Sequence, residues 1–292
     1  MIRSLRERLS VRRASCVTIQ VVKRWRRYMA ETLSERLERL LPGGRGVWVP
    51  MDHSTSRYPE AGLGDTDAAV DAAISGGADA VILQKGAVSH HAGRTGWGGF
   101  VCHVSASTVH GGTRSQDKVS VATARECLSR GATGLSAQIN LGEDAEADMI
   151  ERMGSLTSDA HPLGLPVLGM AYPRGPNLVL DPTDSTHGIA HAVRLAWELG
   201  CHIAKVPWTG SPESFSVVVS AAPIPVLIAG GPGGTAFTGL LGIVEQAMGA
   251  GGAGVCIGRQ VFGAEDPAAH VRALSAIVHN GESASEAASH LR

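Results

Sequence analysis

Residues 187–206 read HGIAHAVRLAWELGCHIAKV. Ile189, Ala192, Val193 and Ala196 recur at the three- and four-residue spacing of one helix face. Gly200 follows, the residue that takes a left-handed helix end at least cost. Then comes the unbroken run Ile203-Ala204-Lys205-Val206. A continuous short run, without polar alternation, fits a parallel strand covered on both faces. A helix joined to such a strand by a glycine turn is the repeating unit of α/β architecture.

The unit recurs in both directions along the chain. Strands are expected at 47–51, 80–84, 100–104, 134–140, 166–171, 203–206, 225–228 and 254–257. Helices are expected at 65–75, 122–130, 145–154, 187–199, 212–221, 240–249 and 267–279, several of them ending at glycine. Residues 86–99, rich in glycine and histidine, read as a loop. Strands and helices alternating in this way over ~250 residues predict a (β/α)8 TIM barrel, a single domain over 29–292. An open doubly wound sheet is the alternative. No Gly-x-Gly-x-x-Gly follows the first strand, which counts against it.

Composition sets the outer bounds. The chain has 292 residues, 43% hydrophobic and 18% charged, enough to bury a sizeable core and too apolar for global disorder. A net charge of −1 argues against nucleic acid as a partner of the whole chain. No apolar run approaches the ~20 residues of a membrane helix. Cys16, Cys102, Cys127, Cys201 and Cys256 are odd in number and form no CxxC pair, which suits a reducing cytoplasm. Residues 1–28 stand apart. Their charged residues are Arg3, Arg6, Arg8, Arg12, Arg13, Lys23, Arg24, Arg26 and Arg27 against the single acid Glu7. With no apolar h-region this is not a secretory signal. It reads as a basic extension: an amphipathic arm or, preferred, an upstream translation start with Met29 opening the protein.

A barrel assembles its active site at the C-terminal ends of its strands. Those ends carry Asp52 and His53, Lys85, His103, Gln138 and Asn140, Tyr172 and Arg174, Lys205, Gly230 and Gly231, and Gly258 and Arg259. Of 26 basic residues only Lys23, Lys85, Lys118 and Lys205 are lysines. Lys23 and Lys118 lie in polar surroundings and ask for no special reading. Lys85 and Lys205 end strands. A charged lysine in an apolar strand is costly. Lys205 is therefore either a side chain that snorkels out or pairs with a carboxylate, or a desolvated amine of lowered pKa that attacks a ketone. Tyr172 is a rim aromatic or a proton shuttle. Asp52 is a strand-end cap or the carboxylate of a proton transfer. Glycines at 230, 231 and 258 let backbone approach a ligand, and with Arg259 the last two loops suit a phosphate better than two ordinary turns. His90 and His91 are adjacent and not expected to face one ion from a regular helix. No HExxH or Cys/His pattern is present, so no metal or cofactor is expected.

Further motifs carry a family likeness. They are Val49-Pro50-Met51-Asp52-His53, Gln84-Lys85-Gly86, His103-Val104-Ser105-Ala106-Ser107-Thr108 and Asn140-Leu141-Gly142. Met170-Ala171-Tyr172-Pro173-Arg174-Gly175, Lys205-Val206-Pro207, Ala229-Gly230-Gly231-Pro232 and Gly258-Arg259 follow in order, so the likeness spans roughly residues 35–285. The chain resembles the archaeal-type class I (Schiff-base) aldolases, the barrel family shared by fructose-bisphosphate aldolase and 2-amino-3,7-dideoxy-D-threo-hept-6-ulosonate synthase. Within it the motifs look most like those of the 2-amino-4,5-dihydroxy-6-oxo-7-(phosphonooxy)heptanoate synthase type. The resemblance implies Lys205 as Schiff-base lysine, Tyr172 as acid/base, Asp52 as its carboxylate partner, and phosphate at Gly230, Gly231, Gly258 and Arg259. It departs from the family at Gln84 and Gln138, where relatives often carry histidine, at Trp208 in place of a tyrosine, and at Gly233-Gly234, where a basic residue is common.

The expected activity is a metal-independent aldol synthase. Lys205 would take a phosphorylated ketone such as dihydroxyacetone phosphate and join it to an aldehyde, L-aspartate 4-semialdehyde in an aminohydroxybenzoate or 3-dehydroquinate-type route. Lys85, His103 and Arg174 are the candidates for holding the acceptor. The alternatives are a fructose-bisphosphate aldolase, acyl transfer on a phosphorylated diketone, and an inactive barrel kept as a binding module. The expected partners are small molecules and further copies of the chain in a cytoplasmic homo-oligomer.

Overall fold

The computed structural model describes residues 31–181, 184–230 and 236–291; the basic extension expected over 1–28 lies outside them. Its frame is a closed barrel of parallel strands. These are β1 (Gly46–Pro50), β2 (Ala80–Gln84), β3 (Phe100–His103), β6 (Gly134–Leu141), β7 (Val167–Pro173), β8 (Ile203–Val206), β9 (Val226–Ala229) and β10 (Gly254–Cys256). They follow one another in chain order around the ring, and β10 closes on β1 through Gly46↔Gly254 and Trp48↔Cys256. Each expected strand is present, shifted at its ends by no more than a residue or two.

Period-2 alternation sorts the side chains. Trp48, Ile82, Val101, Leu168, Ile203 and Leu227 point inward and form a closed inner cluster. The opposite positions, such as Val47, Val81, Val167, Ala204 and Ile228, meet the surrounding helices in the larger outer core. Continuing the inward phase two residues towards each C-terminus reaches Pro50, Gln84, His103, Met170 then Tyr172, Lys205 and Ala229. The barrel is thus oily below and polar at the mouth.

A helix at Leu33–Leu40, not among the expected ones, closes the oily end. Thr32 and Glu35 cap it with a reciprocal box. Leu40 and Leu41 pack under the inner cluster, and Trp48 Nε1 donates to the Leu40 carbonyl at 2.7 Å.

Two expectations need correction. Residues 86–99 are not a loop, because a helix runs from Lys85 to Thr95 directly out of β2. Its buried face is Val88, His91 and Ala92, with the His91 ring stacked on Phe100 at 6.4 Å between centroids. Histidine serves there as an apolar surface, so the helical period was masked. Gly96 then ends the helix at φ +70°. The helix expected at 145–154 runs Glu146–Ala160. Gly154 is an interior residue, and Leu156, Thr157 and Ala160 continue the buried face.

Between β3 and the next helix the chain makes an excursion over the mouth. Its stem is a two-stranded antiparallel ribbon, β4 (Ser105–Ala106) with β5 (Val119–Ser120), paired Ser105↔Ser120 and Ala106↔Val119. No described helix is long and apolar enough to cross a membrane.

Candidate active site

The mouth holds a cavity of about 930 Å³. Asp52, Tyr172, Arg174, Lys205, Gly230, Gly258 and Arg259 all line it, from β1, β7, β8 and the loops after β9 and β10. Seven positions expected from the sequence therefore converge. Gly231 lies outside the described residues.

Lys205 is 7% exposed at the cavity floor, next to Met170 in the β7–β8 register and to Leu227 in the β8–β9 register. Its side chain is hydrogen-bonded to that of Cys256. Burial opposes the charge on Lys205, but the anionic forms of Cys256, Tyr172 and Asp52 favour it more, and the amine is raised above its ordinary pKa. Burial pushes the Cys256 thiol up to about 11 and raises the Tyr172 phenol as well. Both are protonated at neutral pH, and Asp52 alone of the three then carries charge. Burial is the largest single influence on Lys205 and opposes its charge, while Asp52 is the one of the three neighbours ionised at neutral pH to offset it.

Asp52 is held between two imidazoles. His103 Nε2 lies 3.8 Å from one carboxylate oxygen and His53 Nδ1 3.9 Å from the other. Burial raises the Asp52 carboxyl, yet His103, His53 and Lys205 together bring it below its usual range. Burial depresses both His53 and His103. His103 shares a 2.9 Å hydrogen bond with Ser136 through Nδ1. It is buried and does not line the cavity, so the structure places it behind Asp52 and not against a substrate hydroxyl.

Arg174 lies with its guanidinium carbon 4.5 Å from the Tyr172 ring centroid, and its Nε donates to Asn140 Oδ1 at 2.9 Å. Asn140 also receives Gln138 Nε2 at 2.7 Å and donates to the Gln116 carbonyl at 2.9 Å. Gln138 lines the cavity, whereas Gln84 donates to the Ser105 carbonyl and anchors the ribbon. Trp208 packs on Phe215 away from the cavity.

The two glycine loops differ. A Cβ on Gly258 would strike the Pro50 carbonyl oxygen and meet His53 Cε1 and Phe262 Cε1 at 2.9 Å, so packing demands glycine there. A Cβ on Gly230 would meet only Gln260 Oε1 at 3.4 Å and Ile257 Cγ2 at 3.7 Å. Packing does not require its bare backbone, which is open towards the cavity.

The structure exchanges two lysines. Lys85 does not reach the cavity; it opens the helix after β2 and pairs with Glu126 at 3.2 Å. Lys118 does reach it. The alternation that would have revealed Lys118 is confined to a ribbon two residues long on each side. His90 and His91 also depart from expectation. Both approach Asp67 Oδ1, at 2.8 and 3.4 Å, since the carboxylate comes from the neighbouring helix Thr66–Ser75. Arg94 occupies a further approach to the same oxygen at 3.3 Å.

The model of the DeoC/LacD family aldolases matches residues 47–264. The chain belongs to that family. It is 41% identical to the 2-amino-3,7-dideoxy-D-threo-hept-6-ulosonate synthase of Halobacterium salinarum, over 84% of this chain and 91% of that one. It is 35% identical to the 2-amino-4,5-dihydroxy-6-oxo-7-(phosphonooxy)heptanoate synthase of Streptomyces griseus, over 80% of this chain and 84% of that one. Among solved structures, an archaeal fructose-1,6-bisphosphate aldolase with its catalytic lysine bound to a carbinolamine intermediate superposes with a TM-score of 0.73 and 27% identity. That match covers 85% of this chain and 99% of the other. This member of the DeoC/LacD family is a carbon–carbon lyase, a class I aldolase related to the archaeal fructose-bisphosphate enzymes.

Proposed function

We propose that Lys205 forms the Schiff base, that the donor is a phosphorylated ketone such as dihydroxyacetone phosphate, and that the acceptor is an aldehyde, L-aspartate 4-semialdehyde. One observation carries the reading. The buried amine stands at the floor of the cavity with Asp52 and Tyr172 lining the same walls.

The donor's phosphate meets the open backbone at Gly230, the loop at Gly258 and the Arg259 guanidinium. This brings the ketone carbon to Lys205. The ammonium passes its proton to Asp52, and the free amine adds to the carbonyl as a carbinolamine. The Tyr172 phenol, protonated at neutral pH, donates to the carbinolamine oxygen, and water leaves with formation of the iminium. The iminium draws electrons from the adjacent carbon, whose proton passes to the Tyr172 phenolate left by dehydration, giving an enamine. That carbon then bonds to the aldehyde carbon, and the new hydroxyl takes its proton back from Tyr172. Water adds to the product iminium, its proton passing to the Tyr172 phenolate, and Lys205 is released and recovers its proton from Asp52.

The semialdehyde is preferred because the relative with the highest identity quoted above, and the Streptomyces griseus relative, are both amino-heptulosonate-type synthases. Fructose-bisphosphate cleavage is the second reading, favoured by the archaeal aldolase superposition. Cytoplasmic location and homo-oligomeric assembly belong to the same proposal. Borohydride reduction in the presence of dihydroxyacetone phosphate, followed by peptide mass spectrometry, tests it. An adduct on the Lys205 peptide supports the reading. Labelling elsewhere, or none, overturns it. A screen of aspartate 4-semialdehyde against glyceraldehyde 3-phosphate separates the two acceptors.

A further inference from the structure

The proposed donor accounts for the cationic side at Arg259, but two more cations face the same cavity. Lys118 reaches it from the ribbon over the mouth and Arg174 from the end of β7. The ribbon register that pairs Ser105 with Ser120 and Ala106 with Val119 places Ser107 opposite Lys118. The Lys118 ammonium accordingly donates to Ser107 Oγ at 2.6 Å. Asn140 links the two arms: its Oδ1 accepts from Arg174, and its Nδ2 donates to the Gln116 carbonyl two residues before Lys118.

Neither cation has a carboxylate within ion-pair distance among the described residues. Their partners are neutral: a hydroxyl for Lys118, an amide oxygen and an aromatic face for Arg174. Burial lowers both pKa values, and the positive charge of Arg174 lowers Lys118 further. Two like charges held in a half-buried wall are unfavourable, and Asp52 beside Lys118 and Glu143 beside Arg174 offset them only from beyond ion-pair distance, so a ligand anion would complete them. The wall adjoins Tyr172, which places such an anion beside the reacting carbons.

We propose that Lys118 and Arg174 form the subsite for the carboxylate of the incoming aldehyde. This rests on the reading of Lys205 as the Schiff-base residue. Arg174, planar and fixed by Asn140, presents a fork suited to a carboxylate, and Lys118 adds a point charge from the ribbon. The subsite would select an acceptor bearing a carboxylate over an uncharged aldehyde and orient its carbonyl towards the enamine.

The test is acceptor kinetics in Lys118→Met and Lys118→Arg, with aspartate 4-semialdehyde, glycolaldehyde and glyceraldehyde 3-phosphate as acceptors and borohydride trapping of dihydroxyacetone phosphate run alongside. The expected result is a rise of about tenfold or more in KM for the semialdehyde in Lys118→Met, the scale of one lost charge-assisted contact. Glycolaldehyde should shift far less, and Lys118→Arg should recover most of the loss. An equal change for the charged and uncharged aldehydes would overturn the subsite, as would no change for either. Preference for glyceraldehyde 3-phosphate in the unmutated protein would overturn the carboxylate assignment. Absence of trapping in the unmutated protein would remove the reading of Lys205 on which the subsite rests, and so is distinguishable from failure of Lys118 alone.

Discussion

His103 stands behind Asp52, its Nε2 3.8 Å from one carboxylate oxygen while its Nδ1 is tied to Ser136. Burial holds this imidazole below its ordinary pKa, so the folded protein carries it neutral where the unfolded chain begins to protonate it near pH 6.5. The unfolded state then binds more protons below that point, and stability must fall as pH drops from 7 towards 5. Urea midpoints measured across that range should decline. In His103→Gln, which keeps a partner for Ser136, the decline should be shallower. A flat profile in the unmutated protein would show that the imidazole is not held neutral.

Lys205→Met should abolish turnover and borohydride trapping while leaving the circular dichroism spectrum intact, since methionine fits the same volume in an apolar strand. Tyr172→Phe should behave differently. Its amine can still add to the ketone, but proton delivery to the carbinolamine is lost, a step worth roughly 10²–10⁴-fold. Rapid-quench trapping in this variant should show slow iminium formation. A Tyr172→Phe enzyme of full speed would remove the phenol from the mechanism.

The two phosphate-loop glycines should separate into a packing role and a binding role. Gly258→Ala drives a methyl into the Pro50 carbonyl and His53, and should cost about 1–3 kcal/mol in denaturant unfolding. Gly230→Ala meets no close neighbour. It should unfold at an unchanged midpoint yet raise KM for the phosphorylated donor. If both variants are equally unstable, the distinction fails.

At the opposite end of the barrel, Trp48→Phe removes the donor to the Leu40 carbonyl and leaves that buried oxygen without its partner. The expected loss is about 1–3 kcal/mol. Because the site lies at the other end of β1, kcat/KM in the surviving folded fraction should stay within about twofold, the scatter expected of sites that do not couple. A large kinetic effect would mean that the floor of the barrel communicates with its mouth.

Much of this was legible in the chain itself. Short apolar runs such as 203–206, set between amphipathic stretches ending at glycine, determine a parallel barrel because backbone hydrogen bonding and two-sided burial leave few other arrangements. The strand ends then named Asp52, Tyr172, Lys205 and the glycine loops, since a barrel has one mouth and the alternation along each strand points there. Tertiary structure alone decided which lysine enters the cavity and which groups surround the buried one. Lys85 leaves β2 into a helix and turns to Glu126, while a short ribbon folded back from β3 delivers Lys118. Lys205 shares its cavity with Asp52, more than 150 positions earlier in the chain, so burial and an opposite charge act on one amine. Both outcomes depend on distances across the barrel, and local sequence pattern carries no information about those.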